Sequence, residues 1–365
     1  MTAAPINGEH RPPAVTHPWG RRLSDAVRDA VRQADWSASR RLVVQGDGRT
    51  RDLAREYALM VRGLGFTLEV LLGQLAQLQP LADAVHARLA GTADPLDERI
   101  TILQRLLVAL QAGPGSGTPA VDAPVGIWRE ACTGALRAAQ ARFAADQGRR
   151  SGDVSAAIEN RDAGSALAAL EAKDRAYLAL HDPMVRFMAD AFACVLHLQG
   201  PRGLLDFHLA TAEGQRDGFE KWERLSAAEF AAASALLLQQ HMGQVQVVEQ
   251  ADRFTIHQSP CGSGGRLRLG GAYDAQREGA AVPPLPFVSG PNPLTFGEAA
   301  APVYCTHCAV WNGTATLRWF GRAQWVFDAP ARVDGSCTLH IYKRREDAPT
   351  EYARRVAHTA VERTP

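Results

Sequence analysis

The chain has 365 residues, 46% of them hydrophobic and 22% charged, and Lys+Arg 40 against Asp+Glu 39 leaves a net charge of +1. That length allows two or more domains with cores of their own, and the even charge balance provides none of the basic field that a nucleic-acid partner requires. Met1 to about Gly20 is Pro-rich and polar without the apolar core of a signal peptide, and no run of about 18 apolar residues is read in the chain, so a cytoplasmic protein with no membrane partner is expected.

Residues 1–20, with Pro5, Pro12, Pro13 and Pro18, read as a disordered leader. Helical spacing then begins. Leu23, Val27 and Val31 place a helix over Arg21 to Gln33; Leu53, Tyr57, Met60 and Leu64 place one over Arg51 to Leu78; Ile100, Leu103, Leu106, Leu107 and Leu110 place one over Leu96 to Gln111. These make an N-terminal helical region, 21–112. Gly113-Pro114-Gly115-Ser116-Gly117, continued to Pro124, has the composition of a linker, giving a boundary at 113–124.

Ile127 to Gln147 and Val154 to Leu180 are Ala-rich and helical, Asp182-Pro183 reads as a fresh helix start, and Gly200-Pro201 as its end. Ser226 and Glu229 form a capping box before Phe230 to His241, because hydroxyl and carboxylate each satisfy an orphan amide at the helix start. The period then changes. Gln244 to Glu249 and Arg253 to Gln258 are β-branched runs that read as a hairpin, leading into Pro260-Cys261-Gly262. A Gly/Pro-rich loop runs from Gly270 to Pro302, followed by a helix from Cys305 to Gly321 and strands near Gln324 to Phe327 and Ser336 to Tyr342. The fold class is α+β: a large N-terminal helical layer followed by a small, mostly antiparallel sheet with a Cys-led helix. Residues 125–343 form the catalytic or ligand-binding domain, and 344–365 a charged, peripheral tail.

Chemistry concentrates where four of the six cysteines lie: Cys261, the Cys305/Cys308 pair in Tyr304-Cys305-Thr306-His307-Cys308, and Cys337. Zinc favours thiolate and imidazole ligands, and Cys-x-x-Cys lets two sulfurs turn toward one ion, so Cys261, Cys305, Cys308 and Cys337 are candidate zinc ligands, with His241, His257, His307 and His340 as alternatives. The second reading is nucleophilic catalysis by a thiolate, with Cys261, His307 and His257 as candidate catalytic residues. The plain alternative is that these thiols are small buried hydrophobes, as Cys132 and Cys194 are expected to be. Gly262-Ser263-Gly264-Gly265 has glycines able to form an anion nest, yet it lacks the Lys-Ser/Thr ending of a phosphate loop, and a flexible turn is the simpler reading. Arg266 and Arg268, at alternate positions of an expected strand, point to one face and join Tyr304 as candidate substrate-binding residues. His208, Glu213 and the His181-Asp182 pair are weaker acid/base candidates. Asn312-Gly313-Thr314 matches a glycosylation acceptor for which no secretory signal is read.

Phe254 to Cys261, Cys305 to Gly321 and Gly335-Ser336-Cys337 together resemble the group of L-2-amino-thiazoline-4-carboxylic acid hydrolase-like proteins and 4-vinyl-reductase-type small-molecule-binding domains, over less than a third of the chain. The resemblance implies a small-molecule pocket between helices and sheet, in some relatives beside a cysteine-rich metal site. The expectation is a hydrolase or lyase acting on a small polar molecule with a C–N or C=N bond through a zinc-containing Cys/His site. The alternative is a small-molecule-binding or sensor module with a structural zinc. A small molecule is the expected partner, and a homo-oligomer is compatible with the sequence.

Overall fold

The structure is a computed structural model that describes residues 14–44, 53–78, 95–110, 118–120, 123–274, 284–328 and 337–357. Its helical layer contains α1 (Leu23–Arg32), α2 (Trp36–Val44), α3 (Leu53–Ala76), α4 (Pro95–Leu110), α5 (Val125–Glu159) and α6 (Ala163–Glu213). Three sit where the apolar spacing places them. The short α2, with its Ser- and Arg-rich sequence, offered too little periodicity to be read. α6 begins at an N-cap in which Asp162 accepts from the Ser165 amide at 3.0 Å. It passes Pro183 without a break and bends at Gly200, where φ is 69° and ψ is −174°. Glycine tolerates that conformation, and Pro201 suits a first helical turn, so the helix resumes at once.

α3 packs on α5 and α6, and α4 on both as well. Leu68 and Leu71 of α3, Leu103 and Leu107 of α4, Trp128 and Leu136 of α5 and Phe192 and Leu204 of α6 lie in one buried cluster that extends to Tyr304 and Val310. Each such side chain contributes roughly 1.5–3 kcal/mol by leaving water. The helices before and after residues 113–117 therefore share a core, while that segment lies outside the described residues. By length and composition α3 could cross a membrane; 44% of its most apolar window is buried in this fold.

The described residues hold seven strands, in chain order β1 (Val15–His17), β2 (Val245–Glu249), β3 (Arg253–Gln258), β4 (Phe287–Ser289), β5 (Ala300–Pro302), β6 (Val326–Asp328) and β7 (Cys337–Tyr342). Five form an antiparallel sheet in the order β1-β2-β3-β7-β6, and β4 pairs with β5 inside the segment expected to be one long loop. The expected hairpin is β2–β3. Part of the expected leader is an edge strand: β1 pairs with β2, and His17 meets Glu249 at 2.7 Å. α7 (Arg216–Glu223) and α8 (Ala227–Gln239) connect α6 to the sheet, and α8 carries the capping box read from Ser226 and Glu229. The charged C-terminal segment also docks. Its helix Thr350–Val356 buries Val356, whose carbonyl accepts from Thr314 Oγ1 at 2.9 Å.

Two elements around the cysteines differ from expectation. Gly264–Leu269 is a short helix, α9, rather than a strand. The Cys-led segment is a composite: a 3-10 turn at Val303–Cys305, an α-turn at Thr306–Ala309, a π-helix at Val310–Ala315 and an α-turn at Thr316–Phe320, closed by Gly321 in the left-handed region with φ 74°. Widened π turns occur frequently at functional sites, and this one faces a cavity.

Candidate functional site: a cavity walled by thiols, imidazoles and aromatics

A cavity of about 910 Å³ lies between the helical layer and the sheet. Most of its lining is apolar. Phe66 of α3, Met188 of α6, Phe219 and Trp222 of α7, Leu238 of α8, Phe296, Trp311 and Trp325 come from elements far apart in sequence. Their indoles are fixed by hydrogen bonds: Trp311 Nε1 donates to Thr211 Oγ1 at 3.0 Å and Trp325 Nε1 to Ser234 Oγ at 2.9 Å. A buried indole with a satisfied N–H gives a rigid apolar wall.

One side of that wall is polar. Cys261, Cys305, Cys308 and Cys337 all line the cavity, together with Ser263, Arg268, Tyr304, His307 and His241. The convergence has a local cause in each case. Cys337 opens β7 directly opposite Gln258 of β3, which lines the same cavity. Cys261 follows β3. The glycines after it serve close approach rather than an anion nest: a Cβ on Gly262 would stand 1.9 Å from the His241 carbonyl oxygen, and one on Gly264 would stand 3.0 Å from Cys305 Sγ. α9 thereby presses the Cys261 loop onto the Tyr304–Cys305 turn. Among the described residues no group of three or more His, Cys, Asp and Glu side chains is picked out as a metal site.

The thiols have distinct partners. Cys308 Sγ lies 3.4 Å from His307 Nε2, and the other nitrogen of that ring, Nδ1, donates to the Tyr304 carbonyl. With its proton held on Nδ1, the ring presents the Nε2 lone pair to the Cys308 thiol. Cys305 Sγ accepts from Arg268 at 3.5 Å, and Cys261 Sγ is 3.5 Å from Ser263 Oγ. Burial pushes the Cys305 thiol up to about 11, against the pull of Arg268. Burial holds Cys308 and Cys337 well above the ordinary thiol value, and the neighbouring cysteines push them further. Burial lowers His307 to about 4. Cys305, Cys308, Cys337 and His307 therefore rest neutral at pH 7, beside the buried guanidinium of Arg268.

Several of the expected site residues fall elsewhere or act differently. His257 is not on the cavity wall: Gln258 faces the cavity, strand residues alternate in direction, and His257 Nδ1 instead meets Thr338 Oγ1 at 3.3 Å. Arg266 and Arg268 do not share a face, because a helix turns residues two apart by about 200°. Arg268 enters the cavity wall, whereas Arg266 donates to Asp182 Oδ2 at 2.6 Å. His340 is bound between Thr255 and Asp328 and is not part of the cavity lining, and His208, fully buried, bonds Thr306 Oγ1 at 2.8 Å. Asn312 is buried within the π-helix, with its amide donating to the Cys308 carbonyl.

Sequence reasoning underrated His241, which lines the cavity and bonds His181, and it missed the aromatic contributions of α3 and α7. The available signal was His241 just past the end of α8, two residues before Gly243; nothing local pointed to Phe66.

The fold and the site define a class: an α+β chain with a cavity walled by cysteine, histidine and aromatic side chains. No family model, no curated protein and no solved structure matches this chain.

Proposed function

We propose that the chain is a small-molecule hydrolase or lyase that works through the cysteine/histidine wall of the cavity. The observation that carries this reading is the 3.4 Å contact between Cys308 Sγ and His307 Nε2 on that wall, with His307 held in the proton-accepting tautomer by the Tyr304 carbonyl. The substrate has an apolar or aromatic body that fits the lining and an anionic group drawn to Arg268. A cavity of about 910 Å³ suits a small organic molecule. The resemblance of the cysteine-bearing segments to the thiazoline-carboxylate hydrolase-like group agrees with this substrate class.

Because the pair rests neutral, the thiol is activated as it reacts. The Cys308 S–H proton passes to His307 Nε2 while sulfur bonds to the C=O carbon of an amide-type C–N bond, and the π pair moves to oxygen. Collapse of the adduct returns that pair, breaks the C–N bond and sends the His307 proton to the leaving nitrogen. Water then cleaves the thioester, releasing the acid and restoring the thiol.

A second reading rests on the four sulfurs sharing one wall. Burial and mutual repulsion keep Cys305, Cys308 and Cys337 from ionising together, and a soft dication such as zinc would reverse that by taking them, with Cys261, as thiolates. Four thiolates around one ion would make a structural site in a ligand-binding or sensor module. One experiment separates the readings: metal analysis of the purified protein, with peptide-mapped iodoacetamide labelling of wild type and His307→Gln. Little metal, with Cys308 alkylated faster than the buried Cys132 and slowed about tenfold or more by His307→Gln, supports the thiol–imidazole reading. Stoichiometric zinc with all four cysteines protected overturns it.

A further inference from the structure

A chain of hydrogen bonds runs from the protein surface to the cavity beside the cysteine loop. Arg266 donates to Asp182 Oδ2 at 2.6 Å; Asp182 Oδ1 lies 2.8 Å from His181 Nδ1; His181 Nε2 lies 2.9 Å from His241 Nδ1. His241 is on the cavity wall, and its carbonyl packs against Gly262, so the relay and the Cys261 loop are held together. His181 is buried and stacks on Tyr177 with ring centroids 5.6 Å apart, and the Tyr177 hydroxyl donates to the carbonyl of Gln240, the residue before His241. The path is braced at both rings.

Proton counting fixes its direction. Asp182 carries a carboxylate, because hydrogen bonds from His181 and Arg266 outweigh the burial that alone would raise its pKa. Burial holds both imidazoles below their ordinary value, so each is neutral at pH 7. A carboxylate only accepts, so His181 carries its proton on Nδ1. Its Nε2 then only accepts, so the proton between the rings belongs to His241 Nδ1. His241 Nε2 is left with a lone pair, and His241 lines the cavity.

The geometry points to His241 Nε2 as a base facing ligand or water in the cavity, with His181, Asp182 and Arg266 as positioning residues that set its tautomer. Within the proposed hydrolysis, on which this role rests, His241 serves the second step. Water gives a proton to His241 Nε2 as its oxygen bonds to the acyl carbon; the C–S bond breaks, and the proton passes back to the Cys308 thiolate. The imidazolium formed at His241 donates through Nδ1 to His181, which donates to Asp182. A positive charge is thereby stabilised without moving a proton off Nδ1.

The test has two arms. Imidazole nitrogen NMR on histidine-labelled full-length protein should show His241 with a protonated Nδ1 and a bare Nε2. In Asp182→Asn the amide donates to His181 and reverses the chain, so that Nε2 becomes the protonated nitrogen; Asp182→Glu, which retains an acceptor, keeps the wild-type pattern. A protonated Nε2 in wild type overturns the relay even if Asp182→Asn fails to fold. In the second arm, p-nitrophenyl acetate is used to acylate the protein and mass spectrometry follows release. Release relative to acylation should slow on the order of a hundredfold in His241→Gln and in Asp182→Asn. An unchanged ratio overturns the base assignment. If Cys308 is never acylated, it is the thiol reaction that fails, and the nitrogen spectra still decide the relay.

Discussion

The helical layer and the cavity region bury polar groups in opposite ways. Around α1, α5 and α6 the buried groups are charged and paired: Arg28 and Tyr57 both bond Asp174, and Lys173, with no exposed surface, reaches Ser151 Oγ at 2.9 Å and the Gln147 side chain and lies 4.3 Å over the Tyr57 ring. Around the cavity, Arg268 apart, the buried groups are mainly thiols and imidazoles that can exist neutral. Burying an unpaired charge is far more costly than burying a neutral polar group, so a scaffold must pair its charges, whereas a reactive site uses groups that can gain charge only when a ligand arrives.

The largest expected effect tests whether the two regions can be parted. Deleting residues 1–112 removes the α3 and α4 half of the shared core, including Leu68, Leu71, Leu103 and Leu107, all at most 1% exposed. At roughly 1.5–3 kcal/mol per side chain, the loss exceeds the stability of an ordinary domain. The chain from Val125 onward should show no cooperative thermal transition by circular dichroism. A sharp transition would make the cavity region an independent domain.

Acid should strike the cavity region first. Burial lowers His208 and His241 well below the ordinary imidazole value, and lowers His181 as well, outweighing its bond to Asp182. The unfolded chain takes up these protons below about pH 6.5 while the folded chain resists, so stability falls as pH falls, by up to about 4 kcal/mol per pH unit if all three remain neutral when folded. Urea unfolding between pH 7 and 5 measures the slope. A flat profile would mean that the folded rings take up protons as readily as the unfolded chain and that the contrast between the regions is false.

The smallest effect has the same sign, appears at alkaline pH and lies in the helical layer. Burial lowers Lys173 to about 8, with Asp174 and Glu56 opposing. Folded Lys173 releases its proton before the unfolded chain does, so stability should rise between about pH 8 and 10.5, by at most about 3 kcal/mol. Lys173→Met should abolish that rise. A rise that survives the substitution would assign it to another group.

Helix positions, the capping box and the β2–β3 hairpin were legible because each depends on local periodicity or on groups within four residues of one another. The cysteines could be nominated together because thiols in turn-forming contexts stand out from a helical background. Their partners could not. Cys305 with Arg268, and His241 with His181, are separated by 37 and 60 residues and meet only through the packing of α9, α8 and α6. His257 misled for a related reason: its neighbours in sequence are site residues, but strand alternation turns it away.

What the sequence determined by itself was the α+β class and the segments that carry reactive groups, since these follow from short-range steric and hydrogen-bonding preferences of the chain. The tertiary structure alone decided which side chains share the cavity, that Gly262 and Gly264 allow backbone to meet backbone and sulfur, and which thiols face an imidazole or a guanidinium. Those outcomes depend on contacts between residues far apart in the chain, whose distances no local pattern encodes.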